Sequence, residues 1–316
     1  MAKTKQNQTR SKSTFLKRHN NVVLLIGFSL LLVGFYGVFY SGQEDPWTMT
    51  DDGLLSYPER EELDYSVISV DDSNPGYVLK TITYTSRETE VDSLLTIPAT
   101  DGNNSDPVPA VVILPGAGVT KEDEHSLSVL LADMGYASIV IDQRNLGAIN
   151  VENDIMLFRN GAEPIQFLMV YDALMASDVL RDQPGIDDSK IAMLGSSNGG
   201  RFAIIATSID DSISGVAGIS TSGYDSDSLN REDVVDQAAY DFFISIDPDN
   251  YLDGISPRPF VMIHSLNDSI IPYDLALKTF EKGDEPKSFG TVDGESHGYT
   301  DAMYSHLESG LEEIFA

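Results

Sequence analysis

Residues 190–202 read KIAMLGSSNGGRF. An apolar run ends at Gly195, two serines and an asparagine follow, and Gly199 and Gly200 lead toward a second apolar run, FAIIA. That order predicts a buried strand, a tight turn and a helix. Within it Gly195, Ser197 and Gly199 fit G-x-S-x-G, whereas moving the frame back one residue puts Leu194 where a glycine is needed. A sharp strand-to-helix turn strains its central residue and brings backbone close on both sides, which glycine tolerates best. The Ser197 hydroxyl then stands above the sheet edge, beside the N–H groups that open the helix. The bare pattern arises by chance in chains rich in glycine and serine, so its meaning rests on the flanking strand and helix and on finding partners for the serine.

A serine hydroxyl is a weak nucleophile near neutral pH and needs a histidine, itself oriented by a carboxylate. After a turn of this kind the chain order is serine, acid, histidine. Five histidines are present. His19 precedes everything relevant, His125 reads as a solvated helix residue, His264 lies inside the strand FVMIHS, and His306 reads as a surface residue of the last helix. His297, in the loop DGESHGY between the last strand and the last helix, is the base. The acid should follow FVMIHS, and SLNDSIIP (265–272) offers Asp268 at the strand's end, with Asp274 as the rival farther on. Acyl transfer also needs donors for the developing oxyanion. The Asn198 N–H is the first; the loop LPGAGVT supplies Ala117, or failing it Gly118, as the second.

Outward from this point, strands alternate with helices. YVLKTITYTS and VDSLLTIPA pair through the polar RETE. AVVILPG, ASIVIDQR, KIAMLG, GVAGIS, RPFVMIHS and KSFGTV are further strands, separated by helical segments such as HSLSVLLADMG and IQFLMVYDALMASDVLRDQ. Short continuous apolar strands between helices predict an α/β fold, a mainly parallel sheet covered on both faces. Functional residues of such sheets gather at the carboxyl ends of the strands.

The N-terminus differs. Six basic and no acidic residues fill 1–21, and the next nineteen, VVLLIGFSLLLVGFYGVFY (22–40), carry no charge. That run is long enough to span a bilayer core of about 30 Å, with the basic tail cytoplasmic and the rest outside. It is longer than the apolar region of a signal peptide, although Ser41 and Gly42 leave cleavage open. Residues 41–76, polar and acidic, read as a stalk, with Trp47 at the membrane interface, and 77–316 as the catalytic domain. The net charge of −30 excludes nucleic acid as a partner and suits a soluble domain in a salty exterior. No cysteine is present, so no disulfide contributes. IDPDNYLDG (246–254) lacks the spacing of a calcium loop and reads as surface acidity. Asn103 in NNS fits a glycosylation acceptor. Segments 150–164 and 223–256 read as inserts overhanging the serine.

The motifs ILPGAG, VIDQRNLG, LRDQPGIDDSKIAMLGSSNGG, HSLNDSIIP and SHGY resemble the α/β-hydrolase superfamily, in the branch of dienelactone hydrolases, prolyl-oligopeptidase catalytic domains and related exported esterases. The resemblance spans 77–316 and implies the α/β-hydrolase fold, a Ser197–Asp268–His297 triad, an oxyanion hole at Ala117 and Asn198, and no metal or cofactor. Three departures stand out. Pro115 replaces a frequent histidine, Asn145 replaces the glycine of D-x-R-G-x-G, and the nucleophile is serine rather than the cysteine of true dienelactone hydrolases. The stalk leaves no room for the propeller of the peptidases. The expected function is an extracytoplasmic serine hydrolase of carboxylic esters, its partners being a small-molecule or peptide acyl substrate and, through the N-terminal helix, the membrane. A small peptidase or amidase with the same triad, or a non-catalytic surface protein on this fold, are the alternatives.

Overall fold

Unbroken apolar strands require cover on both faces, and the structure supplies it. The computed structural model describes residues 45–99 and 106–316. The basic tail, the apolar run 22–40 and Asn103 lie outside them. Among the described residues no helix is long and apolar enough to cross a membrane.

Two short strands, β1 (Thr48–Met49) and β2 (Leu55–Ser56), form a small antiparallel pair. The remaining strands build one sheet: β3 (Tyr65–Asp71), β4 (Tyr77–Ser86), β5 (Thr89–Pro98), β6 (Val108–Leu114), β7 (Ala137–Ile141), β8 (Ile186–Ser196), β9 (Val216–Ile219), β10 (Phe260–Ser265) and β11 (Lys287–Val292). Their spatial order is β11-β10-β9-β8-β6-β7-β5-β4-β3. From β7 through β11 all neighbours are parallel, and β5, β4 and β3 extend the sheet antiparallel. The helices are α1 (Lys121–Asp133), α2 (Val151–Arg159), α3 (Ile165–Arg181), α4 (Asn198–Ile209), α5 (Gln237–Ile246), α6 (Tyr273–Lys282) and α7 (Tyr304–Phe315).

Side-chain alternation divides the core. Ala110, Val112 and Leu114 of β6, Ile191 and Met193 of β8, and Phe260 and Met262 of β10 face a layer that includes α3 and α4. Val111, Ile113, Ala192, Leu194, Val261 and Ile263 face the opposite layer, built on α1 and α7. Both faces are therefore buried, which is why these strands carry no polar alternation. Register aligns the strand ends that matter. Leu114 lies opposite Gly195, Ser196 opposite Ile219, and Ser265 opposite Val292, so the loops leaving β6, β8, β10 and β11 emerge along one edge.

The stalk reading fails from Trp47 onward, because 47–316 form one compact unit. Trp47 stacks on Phe158 and meets Phe167 edge-on, so its ring is committed to the core rather than to a membrane interface. Leu55 is 2% exposed, and its N–H donates to the Tyr251 hydroxyl at 2.7 Å. β3 pairs antiparallel with β4 as the edge strand. These anchors have no regular spacing, so periodicity passes over them. Leu55→Ala is expected to cost about 3 kcal/mol, read as a lowered urea midpoint with an unchanged m-value. An unaltered midpoint would return the segment to a passive stalk.

The acidic loop at 246–254 is likewise structural, with Asp247 and Asp249 buried and Asp253 alone of its acids exposed. Asp247 accepts the N–H groups of Tyr224, Ser226 and Asp249, and Asp249 pairs with Lys282 at 2.8 Å. Surface acidity accounts for Asp253 but not for Asp247 and Asp249.

Candidate active site

Ser197 lies between β8 and α4, as the N-cap of α4, with φ 53° and ψ −120°, a conformation that non-glycine residues rarely hold. The surroundings enforce it. A Cβ added at Gly199 would lie 2.0 Å from the Leu114 carbonyl oxygen, and one at Gly195 would lie 2.3 Å from that of Gly199. Both glycines are thus required by backbone approach. The Ser197 N–H donates to Ile219 O at 2.9 Å and its carbonyl accepts from the Thr221 hydroxyl at 2.7 Å, tying the turn to β9 and the loop after it.

Asp268 follows β10 and is 6% exposed. Its Oδ1 accepts the N–H groups of Ile270 and Ile271 at 2.8 and 3.0 Å, while Oδ2 accepts from His297 Nδ1 at 2.9 Å. Burial pushes this carboxyl upward, but the bonds from His297, Ile270 and Ile271 outweigh it and hold the group below the usual carboxylate range. Asp274, the sequence rival, is exposed in the first turn of α6 and makes no bond to His297. The loop carrying His297 is fixed to β10 through Ser265 and Ser296, whose hydroxyls are 3.0 Å apart, and through Asn267 N–H to Gly294 O. Donation from Nδ1 leaves Nε2 of His297 as an acceptor.

His264, 0% exposed, donates from Nε2 to Ile271 O at 2.9 Å and so clamps the turn that holds Asp268. Burial depresses its pKa, which keeps it neutral beside the Asp268 carboxylate. His125 is half-buried against Tyr77 rather than solvated. His306 packs over Gly290 of β11 rather than standing free.

The loop after β6 carries the candidate oxyanion donors. Gly118 N–H is already bonded to Leu146 O at 2.6 Å, which removes the fallback donor. The N–H groups of Ala117 and of Asn198, the first residue of α4, make no hydrogen bond within the described residues. The segment after β7 props this loop, an element that sequence reasoning quoted as a motif but gave no task. Gln143 donates its amide to Pro115 O, which answers for the histidine that many members carry there. Gly147 packs so closely that a Cβ would meet Ala117 Cα at 3.3 Å. Asn145 sits at φ 51°, a left-handed conformation that asparagine adopts at least cost after glycine, so its departure from the motif is physically consistent. Beneath the prop, Arg144 forms two bonds to the fully buried Asp172, from Nε to Oδ2 at 2.8 Å and from its terminal NH2 group to Oδ1 at 2.9 Å. The D-x-R spacing was the available signal for Arg144; nothing in the sequence singled out Asp172.

Ser197, Asn198, Ala117 and His297 all line one cavity of about 730 Å³. No hydrogen bond joins the Ser197 hydroxyl to His297. The remaining walls come from α1 (Asp123, Glu124, Leu127), Ile270 and Ile271, Tyr299 and Arg201. Neither 150–164 nor 223–256 contributes a lining residue, so those segments do not overhang the serine as the sequence suggested. They pack instead against the α3–α4 face, where Phe158 and Phe242 join the core. Among the described residues no group of three His, Asp or Glu side chains could hold a metal.

A parallel sheet bearing a serine on a strained strand–helix turn, with a histidine–aspartate pair at the same edge, defines an α/β-hydrolase. The chain matches the acetyl xylan esterase (AXE1) family over residues 52–244, more than half its length, and belongs to that family. It is an enzyme of the serine hydrolase class acting on ester bonds. The matched stretch includes Ala117, Ser197 and Asn198 but ends before Asp268 and His297. Among curated proteins, the uncharacterized protein YfhR of Escherichia coli O157:H7 is 22% identical over 227 residues, covering 68% of this chain and 75% of that protein. Among solved structures, acetyl xylan esterase from a Paenibacillus species superposes with TM-score 0.65 at 16% identity, covering 80% of this chain and 89% of the other. Glucuronoyl esterase from Solibacter usitatus gives 0.62 at 13% identity, covering 86% and 90%. At these identities the structural likeness speaks for the fold.

Proposed function

We propose that this chain hydrolyses short-acyl carboxylic esters, O-acetyl groups on carbohydrate among them, through a Ser197–His297–Asp268 triad. The observation that carries the reading is the His297–Asp268 bond, which leaves Nε2 as the basic nitrogen of an imidazole lining the same cavity as Ser197. In this scheme Ser197 Oγ attacks the ester carbonyl carbon while His297 Nε2 takes its proton. The oxyanion lodges against the Asn198 and Ala117 N–H groups. Collapse expels the alcohol, which leaves with the proton from His297, and a water repeats the sequence to release the carboxylic acid. Asp268, held ionised, stabilises the imidazolium in both halves. The hydrogen bond between serine and base tightens when substrate enters, as is common for such sites.

The family's name supports the acetyl ester as substrate, and the partly apolar walls at Leu127, Ile270 and Ile271 suit a small acyl group. Chromogenic esters of increasing acyl length, run beside matched anilides, test the proposal. Acetyl and propionyl esters should be cleaved fastest, and labelling by a fluorophosphonate should accompany turnover. A folded protein that neither labels nor cleaves any ester ends this reading. We also place the catalytic domain outside the cytoplasm, anchored by 22–40. Protease added to intact cells should remove it, and its survival there would place it inside.

A further inference from the structure

The chain has far more acid than base, 50 Asp and Glu against 20 Lys and Arg, so an arginine without an anionic neighbour stands out in it. Of the eight arginines among the described residues, seven have a carboxylate within 4 Å. The eighth is Arg201. It stands in the first turn of α4, four residues past Ser197, and lines the same cavity. Its guanidinium is held rather than loose. Nε donates to Ser222 O at 2.8 Å, and one terminal nitrogen donates to Asn198 Oδ1 at 2.7 Å and to the Tyr224 hydroxyl at 3.1 Å. The Tyr224 ring lies under the guanidinium carbon at 4.3 Å. Five N–H bonds are available on an arginine; three are used here, and both on the second terminal nitrogen have no acceptor among the described residues. That nitrogen is not among the fully buried atoms that lack a partner, so solvent reaches it.

The other charged wall clarifies what that space admits. Asp123 is occupied in the cap of α1, accepting from the Thr120 hydroxyl at 2.8 Å. Glu124 lines the cavity on α1, its carboxylate without a hydrogen bond among the described residues, and burial together with the charge of Asp123 raises its pKa. Neither carboxylate comes within ion-pair distance of Arg201. The fixed cation therefore remains uncompensated on the α4 side, while the α1 side repels anions.

We infer that Arg201 is a specificity residue that binds a carboxylate carried by the substrate close to its scissile ester. This rests on the esterase reading above and narrows it to anionic esters, whether the carboxylate belongs to the acyl part or to the alcohol. The one free terminal nitrogen offers a charge-assisted bond to an oxygen of such a group, and interactions of this kind change affinity by about 10- to 100-fold.

Two matched pairs of esters test it. For the alcohol side, 4-acetoxybenzoate is compared with its methyl ester; for the acyl side, mono-4-nitrophenyl glutarate is compared with its methyl ester. Wild type should favour the anionic member of one pair in kcat/KM, mainly through KM. Arg201→Gln should reduce that anionic-to-neutral ratio at least tenfold, Arg201→Lys should retain part of it, and Glu124→Gln should raise it. The ratio matters because Arg201 also supports Asn198, so the neutral ester will itself slow in the variants. Ratios unchanged by Arg201→Gln in both pairs overturn the inference. To separate its failure from that of the esterase reading, the non-hydrolysable amides 4-acetamidobenzoate and glutaric acid monoanilide are titrated onto Ser197→Ala protein. Binding weakened at least tenfold by adding Arg201→Gln supports the carboxylate site even if no ester is cleaved. Equal binding rejects it even if esters are.

Discussion

Ser197→Ala is expected to lower kcat/KM for 4-nitrophenyl acetate by about 10⁵-fold, and His297→Ala by a similar factor, with the double variant hardly worse than either. Nucleophile and base act as one unit, so removing either leaves only binding and oxyanion stabilisation. The Ser197→Ala protein should keep its thermal midpoint or gain slightly, because the substitution removes only a hydroxyl from a strained turn that the neighbouring glycines and Thr221 continue to hold. The pH profile gives a second readout of the same arrangement. A general base accepts the serine proton only in its unprotonated form, so activity of such a site falls toward acid pH. Asp268 is held below the usual carboxylate range and stays ionised through that decline. The acid limb of log kcat/KM should therefore have slope one. A slope of two would mean that Asp268 titrates together with its partner, against the bonding seen around it. Retention of more than a hundredth of the activity in Ser197→Ala would remove Ser197 from the role.

How far this could be read in advance depends on whether the information was local. The turn at Ser197 was legible because three chemical signals, the apolar strand, the small residues and the helical run, lie within the seventeen residues 190–206. Asp268 was legible by position, since a carboxylate just past a buried strand at the functional edge has few other duties. Gly118 stood open as a donor until the structure showed its N–H spent on Leu146, a contact made across 28 residues of chain. The packing of Trp47 and Leu55 was illegible for a different reason. Single anchoring residues in an extended acidic segment look the same as a solvated stalk until the surface that receives them is known. The inserts misled in the opposite direction, because a polar, irregular segment gives no sign of which face of the sheet it will cover.

The prop beneath the oxyanion loop carries the second large effect, and here stability and activity should separate. Asp172 lies at 0% exposure with Arg144 bound to both its oxygens and Ser86 donating to one of them at 2.5 Å. Its pKa is nevertheless raised, because burial outweighs those bonds. The sign follows directly. A carboxyl raised in the folded state favours folding fully only below its unfolded pKa of about 4, and that contribution is lost as pH rises through the folded value. At neutral pH the buried charge is a cost that Arg144 offsets. Asp172→Ala strands the guanidinium and should cost about 3–5 kcal/mol, a fall in midpoint of roughly 10 °C for a unit of this size. Replacing both partners, as Arg144→Met with Asp172→Leu, should restore most of that loss, since neither charge then remains buried alone. Activity should not return with it. Arg144 begins the turn whose Leu146 carbonyl holds Gly118 and whose Gly147 packs on Ala117, so the double variant should fold well yet show a lowered kcat with KM little changed. If activity recovers in step with stability, the pair is only a structural filler, and the oxyanion loop owes its position to Gln143 alone.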